Sequence, residues 1–171
     1  AEVLLETRLP YLTDAQRRVV LKTTAIPSGY PVLDDPEGWG RLNLFAAAEG
    51  YAVFTGNVTV NMDASIGGFN AADRWRNDIA GSGKLVKQGT GALQLGGQNS
   101  WTGGAQVEGG TLEALSARAF GNGDVYVAGG GTVVSNAPAA LVVGGNYTQL
   151  AGATLELRLG AGQQGRVDVS G

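Results

Sequence analysis

The residues able to do chemistry are few. The chain contains no histidine and no cysteine. A Ser-His-Asp triad, a thiol nucleophile, disulfides and the commonest zinc ligands are therefore excluded. Gly160–Gly165 (GAGQQG) matches the spacing G-x-G-x-x-G and follows a strand-like segment. A dinucleotide site needs a helix opening at those glycines, whereas residues 165–170 read as a strand. A phosphate loop would need Lys and then Ser or Thr where Arg166 and Val167 stand. A turn between strands is the expected role. Asp34, Asp35 and Glu37, and also Asp63, Asp73 and Asp78, offer carboxylates to a hard cation. Neither group has calcium-loop spacing, and six or more oxygens would be required. A solvated acidic turn is expected for the first group, and no catalytic, cofactor or metal residue is assigned.

Two further features invite a binding role. Arg74-Trp75-Arg76 could form a cationic-aromatic patch for glycans or lipid headgroups. The alternative, which we expect, packs Trp75 into the core and pairs the arginines with Asp73 and Asp78. Asn57-Val-Thr59 and Asn146-Tyr-Thr148 are sequons, read here as turn and strand residues. The net charge of −3 gives no basic footprint for nucleic acid. No apolar run is long enough to span a bilayer as a helix. The chain opens on an amphipathic segment without a leader, so it is expected to be an internal excerpt.

The elements that carry these residues fall into two compositions. Of 29 glycines, four lie in residues 1–50, whereas four of the five prolines precede residue 40. This shift predicts a boundary near residue 56: a helical junction over 1–56 and β-structure over 57–171. Thr13-Asp-Ala-Gln16 has the form of a capping box and predicts a helix over about 14–24. Ala15, Val19 and Val20 should form its buried stripe, with Arg17, Arg18 and Lys22 in water. A helix over about 39–49 should bury Leu42, Phe45 and Ala46 and end at Gly50.

The remainder repeats itself. VKQGTGALQL (86–95), VEGGTLEA (107–114), VAGGGTVV (127–134) and LAGATLEL (150–157) begin 21, 20 and 23 residues apart. Ile66-Gly-Gly-Phe69 reads as a weaker first copy. One short strand pair per ~20 residues predicts a mainly β fold, a parallel β-helix of about five coils preceded by a small helical segment. An antiparallel sandwich is the alternative. Leu93, Leu95, Val107, Leu112, Val125, Val127, Val133, Leu155 and Leu157 are expected to face inward, and Glu108 outward.

Residues 81–115 resemble the autotransporter-associated β-strand repeat: G-x-G-x-L-x-K-x-G-x-G-x-L-x-L, then Asn, an aromatic, Thr/Ser-Gly-Gly and V-x-x-G-T-L. Lys87, Gly89, Gly91, Leu93, Leu95, Asn99, Trp101, Thr102, Gly103, Gly104, Val107, Gly110, Thr111 and Leu112 carry the match. The resemblance implies a right-handed β-helical passenger of a Gram-negative type V secreted protein, placed at the cell surface or outside the cell. Its partners would be an upstream enzyme domain and a downstream outer-membrane β-barrel of the same polypeptide, with no nucleic acid and no membrane span of its own.

Residues 1–80 resemble the junction following an enzyme domain in certain autotransporters. One parent is the acid phosphatase of the type 2 phosphatidate phosphatase and haloperoxidase class, the other a subtilisin-like protease. Pro10, Leu12, Thr13, Gln16, Arg18, Leu21, Thr24, Ala25, Gly38, Trp39, Gly40, Leu42 and Asn43 fit the protease series. Pro27-Ser-Gly-Tyr30 is similar to the phosphatase P-S-G-H motif but has Tyr30 in place of its histidine, so a turn is expected. The resemblance thus implies a structural stalk that is not itself an enzyme. The alternatives are the C-terminal part of a secreted hydrolase and an adhesin-type module. The last would show aromatic or charged residues recurring on one face, and Trp101, Tyr126 and Tyr147 are too few to show that.

Overall fold

A computed structural model describes residues 1–26, 38–159 and 165–171. Pro27-Ser-Gly-Tyr30, Asp34, Asp35, Glu37 and most of the GAGQQG loop lie outside the described residues. Three helices come first: α1 (Glu2–Arg8), α2 (Asp14–Thr23) and α3 (Leu44–Ala48). Helix α2 begins at the expected capping box, with Thr13 Oγ1 accepting from Gln16 N–H and Gln16 Oε1 accepting from Thr13 N–H.

The chain then winds into coils. The first contains β1 (Val53–Phe54), β2 (Val58–Met62) and β3 (Ala72–Trp75), and the second β4 (Ala80–Gly81), β5 (Leu85–Gly89) and β6 (Ala92–Leu95). The third adds β7 (Ala105–Val107) and β8 (Gly110–Ala114), and the fourth β9 (Val125–Val127) and β10 (Gly131–Ser135). After β11 (Leu141–Val143), the fifth adds β12 (Tyr147–Gln149) and β13 (Thr154–Leu157), followed by β14 (Val167–Val169). Two five-stranded sheets result, β2-β5-β7-β9-β12 and β3-β6-β8-β10-β13, and every strand pair is parallel. The pairs β1-β4 and β11-β14 form parts of a third wall. This is the parallel solenoid expected, not the sandwich. Five rungs separated by four crossings make about four complete turns, slightly fewer than the five expected.

Strand alternation fills the interior. Val58, Leu85, Ala105, Val125 and Tyr147 occupy one register position, and Asp73, Leu93, Leu112, Val133 and Leu155 another. Seven of the nine residues expected inside are buried. Leu155 is partly buried against the same core, while Leu157 is 38% exposed. Both lie on β13, the terminal strand of its sheet, which has a neighbour on one side only.

The helical segment departs further from expectation. Ala15 is exposed, whereas Arg17 is buried and donates to the carbonyls of Leu9 and Leu12 beyond α1. An arginine can occupy a buried face when its guanidinium meets backbone carbonyls just past a helix end. Helix α3 is only five residues long, and it buries Ala47 while Leu42 and Phe45 are exposed. Gly50 does follow its end, with φ 98°, and a Cβ there would stand 2.5 Å from Trp75 Cγ. Ile66 is not part of a repeat copy. It is exposed in a 3-10 turn, Ala64–Ile66, within an excursion that lengthens the first coil to a 27-residue offset, Val58 to Leu85.

Leu5, Leu9, Leu12 and Val20 belong to the same hydrophobic cluster as Trp75, Leu93 and Val143. The helices lie against β2 and β3, the first strands of the two sheets. Gln16 Nε2 donates to the Thr59 carbonyl at 2.8 Å, and an Arg8 guanidinium nitrogen to the Arg74 carbonyl at 3.2 Å. Both carbonyls belong to strands at the end of a sheet, where they would otherwise invite another strand.

Candidate functional site

The 81–115 repeat supplies the residues with unusual environments. Lys87 occupies the register position of Val60, Val107 and Val127, facing inward, and is fully buried. Its ammonium donates to the Gln88 carbonyl at 2.7 Å and lies 3.4 Å from the Gly109 carbonyl. Burial pushes its pKa down to about 8. Gly110, at φ 62°, leaves room for this ammonium, because a Cβ there would lie 2.9 Å from Nζ. The lysine thus runs through the core and binds backbone carbonyls at the corner between the two main sheets.

Asn99 joins three coils. Its Oδ1 accepts from Ile79 N–H at 2.7 Å, and its Nδ2 donates to the Ala119 carbonyl at 2.7 Å. These partners lie 20 residues before and after it, one coil to either side. Asparagine suits the position because its amide both donates and accepts. Trp101 is fully buried, its N–H donating to the Gly104 carbonyl at 3.1 Å and its ring 5.1 Å from that of Phe54.

At the helical end, Asp73 is buried and held by two side chains. Arg8 reaches both carboxylate oxygens, at 2.6 Å for Oδ1, and the Tyr11 hydroxyl donates to Oδ2. Trp75 Nε1–H donates to the Tyr11 oxygen at 2.8 Å. Burial, and then the Asp73 charge, raise the Tyr11 pKa well above that of an ordinary phenol. Arg8 also lies 4.4 Å from the Phe69 ring centroid.

The other candidates separate. Trp75 is buried as expected, but the flanking arginines pair differently. Arg76 binds Glu49 at 2.7 Å, and Arg74 makes no side-chain ion pair among the described residues. Asp73 is already held by Arg8 and Tyr11, while Asp78 accepts from Gln98 N–H at 2.7 Å. Asp63 accepts from Ser65, so the three aspartates do not converge. Among the described residues, no group of three or more acidic side chains is placed to hold a metal ion. In the sequons, Asn57 Oδ1 accepts from Lys84 N–H, and Asn146 N–H donates to Asp124. Residues 167–169 form a strand, as the reading of GAGQQG required. Sequence reasoning missed the Arg8–Tyr11–Asp73 network, in which Arg8 and Tyr11 lie more than 60 residues from Asp73 and share no local pattern with it.

Comparisons with known proteins point in one direction. Residues 85–114 match the passenger-associated-transport-repeat family. The chain is 38% identical over 110 residues to the Neisserial autotransporter lipoprotein NalP of Neisseria meningitidis serogroup B, a match covering 64% of this chain and 10% of that protein. It is 30% identical over 167 residues to an extracellular serine protease of Serratia marcescens, covering 80% and 16%. It is 38% identical over 92 residues to the adhesin BmaC autotransporter of Brucella suis biovar 1, covering 48% and 3%. The chain therefore spans a small part of the length of these relatives. One of these relatives is named as a serine protease, and none of them as a phosphatase.

Proposed function

We propose, for a chain that carries a passenger-associated transport repeat and is similar to autotransporter proteins, that it is a passenger stalk segment of a type V secreted protein. The stalk stands at the cell surface or outside the cell. The observation that carries this reading is the stack of parallel coils with one continuous core around Lys87, Asn99 and Trp101. Four crossings at the ordinary strand spacing extend the stack by about 20 Å. Such a stack adds length without adding a reactive group, because each coil repeats the same strands and corners.

In this reading the helical junction, residues 1–56, links the stalk to an upstream domain, and a downstream β-barrel anchors the polypeptide. The chain is not itself catalytic: it lacks His and Cys, and its buried Asp73 and Lys87 are both engaged. A serine protease is the upstream domain favoured by the match that covers 80% of this chain. The test is surface display of the full-length parent in a Gram-negative host. An epitope in the Asn136–Ala139 corner should be accessible to antibody on intact cells. Retention of the epitope inside the cell would contradict the reading. The purified chain should cleave neither a peptide nor a phosphomonoester above a buffer blank.

A further inference from the structure

A groove of about 600 Å³ crosses the outer face of the sheet containing β5, β7, β9 and β12. Two of the three aromatic residues weighed for an adhesin, Tyr126 and Tyr147, line it, whereas Trp101 lies in the core. Gln106, Tyr126 and Thr148 are in register on adjacent strands, forming an outward row along the floor. Lys84 and Asp124 stand on the flanking turns.

Several of these polar groups lack protein partners. Gln106 uses its Nε2 on Glu108, which leaves its carbonyl oxygen unused. Asp124 receives Asn146 on Oδ1, leaving Oδ2. Among the described residues, no hydrogen bond involves the Tyr126 hydroxyl, the Thr148 hydroxyl or the Lys84 ammonium. The groove therefore offers both donors and acceptors beside a half-buried aromatic ring.

That chemistry discriminates among ligands. One cation opposed by one anion does not suit a nucleic acid or another polyanion. In the floor, β7 and β9 are paired on both sides, so an added peptide strand finds few free backbone groups over them. A polyhydroxylated chain fits: its hydroxyls both donate and accept, and its C–H faces pack on an aromatic ring. Successive rungs lie about 4.8 Å apart, so the contacts recur along a line across the strands. We infer that this groove binds an extended, uncharged oligosaccharide lying across β7, β9 and β12. This site is independent of the stalk role.

The test uses the 171-residue chain with three probes: hexasaccharides of β-1,4-linked N-acetylglucosamine, β-1,4-linked glucose and α-1,4-linked glucose. Nuclear magnetic resonance titration should show millimolar or tighter binding of at least one β-linked hexamer, with shifts at Gln106, Tyr126 and Thr148. The coiled α-linked chain should bind at least about tenfold more weakly. Tyr126→Ala should weaken binding about tenfold or more. Gln106→Ala should also weaken it, and this second variant decides the matter if Tyr126→Ala loses its native circular dichroism. Arg74→Ala, outside the groove, should bind as the parent chain does. Absence of binding by both β-linked hexamers, equal binding of the α-linked one, or binding indifferent to the groove variants would overturn the inference.

Discussion

The indole N–H of Trp75 donates to the Tyr11 hydroxyl at 2.8 Å, and through it the helical segment is tied to the first coil. Tyr11 passes the interaction on by donating to Asp73, which Arg8 also holds. Tyr11 thus stands between a buried donor and a buried carboxylate, and each depends on its hydroxyl.

Removing that hydroxyl should be expensive relative to its size. Tyr11→Phe leaves the Trp75 N–H unpaired and deprives Asp73 of a donor, for an expected loss of about 1–3 kcal/mol. Urea unfolding followed by tryptophan fluorescence measures it. A midpoint equal to that of the parent chain would show that the network does not hold the junction.

Lys87 predicts a pH dependence of unusual sign. Its folded pKa of about 8 lies below the unbound value of 10.5, so the unfolded chain binds more protons between these limits. The Lys87 contribution is therefore least favourable below pH 8, and stability should rise as pH increases from there toward 10.5. Tyr11, with its raised pKa, acts in the opposite direction at still higher pH. Lys87→Met should remove the rise between pH 8 and 10. A parent chain whose urea midpoint is flat across that range would contradict the buried ammonium.

Asn99 should behave as a three-coil clasp. Asn99→Ala leaves the Ile79 N–H and the Ala119 carbonyl without side-chain partners, at a cost of about 2 kcal/mol or more. Amide exchange should accelerate at Ile79 ahead of residues two coils away. Uniform acceleration over the whole stack would contradict a local clasp.

The register itself can be tested with neighbouring residues. Leu112→Ala empties a packed interior position and should cost about 2–5 kcal/mol. Glu108→Ala, exposed and bonded only to Gln88 and Gln106 side chains, should cost under about 0.5 kcal/mol. Equal urea midpoints would mean that inward and outward sets are exchanged.

The repeat was legible because valine and leucine alternate with polar residues at a spacing close to 20. Its phase was not wholly legible. Matching the copies by their first apolar residue aligned Val86 and Leu150 with Val107, yet the structure aligns Lys87 and Gln149 with Val107. A lysine whose ammonium reaches carbonyls at a corner breaks the apolar rule without leaving the core. Arg17 misled in the same way. Leu42 and Phe45 misled in the opposite sense, since apolar periodicity does not say whether a partner is present to cover it. The capping box and Gly50 were readable because both rest on local backbone geometry. The groove around Tyr126 was not, because its lining residues meet only through the stacking of coils.

The central claim, that the chain is a stack of equivalent coils serving as a spacer, is tested most directly by deleting one coil. Ala105 and Val125 are register partners, so removing residues 105–124 should let β5 pair with β9 and β6 with β10. Removing only residues 105–114 deletes two strands without restoring the register. Urea unfolding followed by circular dichroism compares the two deletions. The whole-coil deletion should keep a β-type spectrum and a cooperative transition at a lower midpoint, and the half-coil deletion should lose both. Equal behaviour of the two, whether both fold or both fail, would contradict the account.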